Sequence, residues 1–147
     1  MADHPPPGAA QDPYALVPDA PSVEDYLRLR RDSGLTPRRR EQAEAALPGG
    51  WAAAHVVHRL SGETVGMGRV IGDGGWYFHV VDMAVLPDHQ RRGLGDRILT
   101  HLLDLLRTEV LPGAYVTLMA DSPGQRLYAR HGFVDHAPQT VGMSLVL

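Results

Sequence analysis

The chain contains no cysteine, which removes disulfides, thiolate metal sites and a cysteine nucleophile from consideration. It also lacks a basic excess: 14 Lys and Arg stand against 17 Asp and Glu, a formal charge of −3. General nucleic-acid binding calls for the opposite balance. No apolar run approaches the length that crosses a bilayer. The opening residues, MADHPPPGAAQDP, have neither the basic start nor the apolar stretch of a secretory signal. The expectation is therefore a soluble cytoplasmic protein with neither a nucleic-acid nor a membrane partner. Residues 1–13, rich in Pro, Gly and Ala, read as a flexible tail.

What is present is an ordinary globular composition. A chain of 147 residues, 44% of them hydrophobic, can bury one core and is small for two, so residues 14–147 are read as a single domain. A short strand at Tyr14–Pro18 precedes a helix capped by Ser22 and closed by Gly34. A second helix begins at Thr36-Pro37 and stops at Pro48-Gly49-Gly50. WAAAHVVHRL and ETVGMGRVI then form a hairpin about Ser61-Gly62. The apolar, β-branched WYFHVVDMAVLP reads as a central strand covered on both faces.

From Gly93 to Thr108 the helical period is clearest. Leu94, Ile98, Leu102 and Leu105 form one stripe, and Asp96, Arg97, Asp104 and Arg107 face water. AYVTLMA is a further, buried strand, and Ser122 caps a short helix that Gly132 closes. FVDHAP and TVGMSLVL supply two final strands. This order predicts an α/β fold of mixed (α+β) type, with helices on both faces of the sheet. Ligands gather in such sheets at the carboxyl ends of strands, where neighbours diverge.

Two glycines at the mouth of the longest helix need explaining, because helix interiors disfavour glycine. HQRRGLGDRIL places Gln90, Arg91 and Arg92 in a loop, then Gly93, Leu94, Gly95 and Asp96. A helix N-terminus presents unpaired N–H groups and partial positive charge, and glycine lets a phosphate reach the backbone. The stretch reads as a pyrophosphate cradle. A dinucleotide fingerprint would need a third glycine, and a P-loop would need Gly-Lys followed by Ser or Thr; both are missing here.

Gln90-Arg91-Arg92-Gly93-Leu94-Gly95 resembles the signature of the GCN5-related N-acetyltransferases: Gln or Arg, two residues, Gly, one residue, then Gly or Ala. MAVLPDHQ resembles the ending of that family's fourth strand, and LYARHGF its second motif, a helix bearing a tyrosine and then Gly-Phe. The resemblance runs from Tyr14 to Leu147. It implies the acyl-coenzyme A N-acyltransferase fold, a mostly antiparallel sheet of six or seven strands flanked by about four helices. It also implies acetyl-coenzyme A as co-substrate, held in a gap between strands four and five. The pantetheine arm would pair with the backbone of Met83, Ala84 and Val85 as an added strand. The diphosphate would rest on the amides of Arg91 to Asp96. A metal plays no part in this reading.

Acetyl transfer to an amine needs a base for the ammonium proton, a donor for the oxyanion and an acid for the departing thiolate. Tyr128 matches the family's motif tyrosine and is read as the acid; otherwise it is a buried aromatic locking helix to sheet. His79 falls where several members carry a catalytic Glu or His, and it is read as the base or as a core-edge histidine. Asp82 could hold the substrate ammonium, act as the base or anchor a loop, with its face set by whether the strand bulges. At Asp121 the family commonly has an asparagine that contacts pantetheine, and an ionised carboxylate cannot donate as an amide does.

Tyr77, Phe78 and His79, with Leu35 from the loop between the first two helices, are the expected acceptor contacts. Aromatics beside an amine lean towards an arylalkylamine such as serotonin or tryptamine. Polyamines, amino sugars, aminoglycosides and protein N-termini are the alternatives, as is a non-catalytic acyl-coenzyme A module. A homodimer is a further expectation from the family.

Overall fold

The computed structural model describes residues 10–147. Nine segments make the frame: β1 (Tyr14–Val17), α1 (Val23–Asp32), α2 (Arg40–Ala46), β2 (Ala52–His58), β3 (Glu63–Gly72), β4 (Tyr77–Val85), α3 (Leu94–Glu109), β5 (Tyr115–Leu118) and α4 (Gln125–Arg130). The sheet runs in the order β1-β2-β3-β4-β5. The first four strands are antiparallel neighbours, whereas β5 lies parallel to β4 because α3 carries the chain back across the sheet.

The amphipathic period of α3 translates directly into packing. Ile98, Leu99 and Leu102 are wholly buried, with Leu94, Leu103 and Leu106 nearly so. The apolar stripe is thus broader than the expected four residues, and Leu105 sits at its rim. The helix lies close to the sheet because β3 presents Gly68 beneath it: a Cβ there would stand 2.7 Å from Ile98 Cγ2 and 2.5 Å from Met83 Sδ. On the opposite face, Tyr26 and Leu29 of α1 and Ala43 of α2 complete the core.

Three expectations are corrected. The sheet has five strands among the described residues, not six or seven, because residues 133–147 form no strand; Val141, Met143 and Leu145 there are exposed. The second helix starts at Arg40 rather than at Thr36-Pro37. Arg30 Nε donates to the Thr36 carbonyl at 2.8 Å, which ties down the approach to the helix, and Gln42 Oε1 accepts from the Arg39 amide at 3.0 Å. Of the expected tail, residues 1–9 lie outside the described residues, but Asp12 and Pro13 are not loose. Asp12 pairs with Arg97 at 2.7 Å and accepts from the Tyr14 amide, and the Pro13 carbonyl accepts from the Arg59 amide.

Candidate active site

β4 and β5 pair only from Tyr77–Tyr115 to Val80–Leu118. Beyond Val80 no strand among the described residues lies on that side of β4, so the backbone of Met83 to Val85 borders an opening. The Leu86 amide donates to the Val65 carbonyl at 2.8 Å, and strand alternation then turns the polar groups of Val85 towards the opening. Its carbonyl accepts from Gln90 Nε2 at 3.0 Å. The first residue of the motif therefore braces the rim of the gap rather than pointing to the helix mouth.

The loop from Gln90 ends at α3 without a side-chain cap. Arg91 and Gly93 both adopt left-handed backbone, with φ of 59° and 75°. Left-handed backbone at alternate positions is a setting in which successive amides can turn towards an anion. The two glycines have separate jobs. Gly93 has open space around a would-be Cβ and is needed for its dihedral; at Gly95 a Cβ would approach Leu127 Cδ2 of α4 to 3.2 Å. Arg91 and Arg92 are exposed. Neither has an acidic partner among the described residues. The Asp96 carboxylate, by contrast, is engaged with Arg130 and with His131 Nε2 at 2.9 and 2.8 Å, which fastens α4 beside the first turn of α3. Only the Asp96 amide is left to face a ligand. An uncapped, glycine-opened helix mouth next to a strand gap fits a nucleotide diphosphate with an extended arm.

Tyr128 rises from α4, half-buried, edge-on to Phe133. Its hydroxyl makes no hydrogen bond among the described residues. Burial, and then the nearby Asp121 charge, push its acidity towards higher pH. The phenol thus keeps its proton, and Asp121 assists that instead of acting like an amide.

On β4 a bulge sets Asp82 and Met83 together against Gly68 of β3. Asp82 takes φ of 58°, and the extra residue carries its side chain to the α1–α2 face, the face His79 shares through its pairing with Ile71. The carboxylate is surrounded: Oδ1 accepts from Arg30, and Oδ2 from Arg69 Nε at 2.8 Å and from the Tyr26 hydroxyl at 2.9 Å. With three donors and two guanidiniums upon it, this group organises the sheet–helix junction. His79 is held otherwise. Its Nδ1 lies 2.8 Å from Thr117 Oγ1 on β5, and burial lowers its pKa below the usual histidine value, so it is neutral near pH 7. Its Nε2 makes no hydrogen bond among the described residues.

The expected aromatic pocket does not form. Phe78 lies on the opposite face from His79, fully buried and edge-on to Trp51, so it is a core residue and not an acceptor contact. Tyr77 shares the His79 face but is exposed, in a chain of edge-on contacts with Trp76 and Tyr115. Leu35 is half-buried against the core. Instead, a cavity of about 250 Å³ opens beneath α1 and α2, lined by Arg30, Arg38, Arg69, Tyr26, Ile71 and Val81 among others. Sequence reasoning missed Arg30, Arg69, Tyr26 and Thr117. One signal was available: Arg30 falls four residues after Tyr26 and next to Leu29, on the buried side of an amphipathic helix.

Residues 51–135 match the acetyltransferase (GNAT) domain family. No curated protein matches the chain. Among solved structures, a probable acetyltransferase of meticillin-resistant Staphylococcus aureus is similar at 36% identity and a TM-score of 0.86, over 91% of this chain and 99% of that one. A GNAT-family acetyltransferase of Streptococcus pneumoniae superposes with a TM-score of 0.72 at 24% identity, over 91% and 98%. The glucosamine-6-phosphate N-acetyltransferase of Arabidopsis thaliana, at 16% identity and a TM-score of 0.67 over 92% and 99%, shares the fold. With the family match covering more than half of the residues, and a probable acetyltransferase 36% identical over 91% of the chain, this chain belongs to the GNAT acetyltransferases.

Proposed function

We propose that this protein is an acetyl-coenzyme A-dependent N-acetyltransferase that acts on the primary amine of a small molecule by direct transfer within a ternary complex. One observation carries the reading: the separation of β4 from β5 after Val80 opens beside the uncapped mouth of α3, against whose first turn the helix bearing Tyr128 is fastened. The Arg91–Asp96 amides would hold the diphosphate, with Arg91 and Arg92 adding charge outside. The Met83–Val85 backbone would take the pantetheine arm, Gln90 yielding the Val85 carbonyl or bridging to it.

Acetyl-coenzyme A supplies an acyl group activated as a thioester. The remaining work falls to the chain. His79 Nε2, neutral and unpartnered, accepts the proton that the amine must lose, directly or through water. The amine nitrogen gains the acetyl carbon as the carbon–sulfur bond breaks, and Tyr128 Oη returns a proton to the sulfur. An amide on β4, with Val85 the best placed, stabilises the oxyanion. Asp82 has the supporting role of fixing Tyr26, Arg30 and Arg69. Neither the buried Phe78 nor the exposed Trp76 and Tyr77 lends support to an arylalkylamine preference.

The test is Tyr128→Phe, assayed by thiol release from acetyl-coenzyme A across a panel of primary amines. Loss of the general acid should lower kcat on the order of 10²-fold or more, with coenzyme A affinity unchanged. Undiminished turnover would remove Tyr128 from the chemistry.

A further inference from the structure

The cavity under α1 and α2 has an imbalance of charge that the fold itself does not resolve. Three guanidiniums, Arg30, Arg38 and Arg69, face one carboxylate, Asp82. Arg30 and Arg69 are more than nine-tenths buried. Two buried cations sharing one anion leave a positive charge without its counterpart, an arrangement that is costly unless something neutralises it. Their other bonds go to carbonyls, Arg30 Nε to Thr36 and Arg69 Nη1 to Ala46, which solvate the charge without cancelling it. The Nη2 atom of each has no hydrogen-bond partner among the described residues, and neither is a sealed, unsatisfied buried atom. Both therefore remain within reach of solvent or a ligand. Arg38 at the entrance bonds only weakly to the neighbouring Pro37 carbonyl, at 3.5 Å, and forms no ion pair among the described residues.

The floor of this cavity is Val81 and Asp82 of β4, immediately before the Met83–Val85 segment assigned to the pantetheine arm. A regular strand would separate Val81 from Met83 by about 7 Å, and the bulge at Asp82 brings them closer than that. A small molecule can span that distance with one end on the arginines and its amine at the gap.

Resting on the acetyltransferase reading above, we propose that the acceptor carries an anionic group near its amine, a carboxylate or a phosphate monoester, which docks on Arg38 with Arg30 and Arg69 behind it. Guanidinium recognises both groups through paired, charge-assisted hydrogen bonds. The same positive field, a few ångströms from the gap, disfavours an ammonium there and so favours the free amine that attacks. A purely cationic acceptor, such as a polyamine or an arylalkylamine, is repelled by it.

The experiment compares matched acceptors on the protein saturated with acetyl-coenzyme A. One arm sets amino acids against their decarboxylated amines, with phenylalanine against phenethylamine as the reference pair; the other sets amino-sugar phosphates against the unphosphorylated sugars. The expected result is a kcat/KM about tenfold or more higher for the anionic member in one arm, carried by KM, which also identifies the group. Arg38→Gln, at an exposed position where folding is not at stake, should erase most of that preference, and Arg38→Lys should restore part of it. Coenzyme A affinity by calorimetry should be the same in all three proteins. Equal or better use of the counterparts that lack the anionic group in both arms, or a preference that survives Arg38→Gln, overturns the inference. Absence of coenzyme A binding would instead bring down the acetyltransferase reading itself.

Discussion

Single residues set the working pH of this site. His79 is neutral because burial lowers its pKa, so its basic form is present above that value and is lost on acidification. Tyr128 is protonated because burial and Asp121 raise its pKa, so its acid form is lost only at high pH. The rate should therefore fall on the acidic side with a midpoint below about 6.5, and His79→Ala should abolish that limb. Asp121→Asn removes a neighbouring negative charge and should bring the basic limb to lower pH. The pH dependence of kcat/KM checks both; limbs unmoved by either substitution would contradict the assignments. At this scale the placement of Tyr128 on a short helix and of His79 on a central strand was legible in the sequence. Phe78 was not, because an aromatic in a strand buried on both faces points either way with equal hydrophobic merit.

At the scale of elements, the bulge in β4 decides most of the site's geometry. Simple alternation puts Asp82 opposite His79, and only the extra residue facing Gly68 turns it towards α1 and α2. No local signal announces a bulge in an apolar run, so the junction of Asp82 with Tyr26, Arg30 and Arg69 was hidden. Removing its anion should be severe. Asp82→Ala leaves two buried guanidiniums without their carboxylate and should cost about 3–5 kcal/mol, read by denaturant unfolding. A loss below about 1 kcal/mol, the range of an exposed pair, would show that the cluster does not clamp the helices to the sheet. The periodicity of α3, by contrast, was plain in the sequence, because a sixteen-residue helix repeats its apolar period often enough to stand out. The C-terminal segment shows the opposite case. TVGMSLVL has strand-forming residues, yet strand propensity needs an edge to pair with, and none is paired to it here.

For the whole molecule, the fold places two charged features on either side of β4: a helix mouth suited to a diphosphate and a cavity enriched in arginine. The overall charge of −3 conceals both, and composition therefore gave no sign of the positive local field that points to an anionic acceptor. The central claim, that the β4–β5 gap and the mouth of α3 together hold coenzyme A, is tested most directly by calorimetric titration. Coenzyme A should bind at a single site and far more tightly than pantetheine, which lacks the nucleotide diphosphate, with the difference shrinking in Gly93→Val. No measurable heat with coenzyme A, or equal affinity for pantetheine, would contradict it.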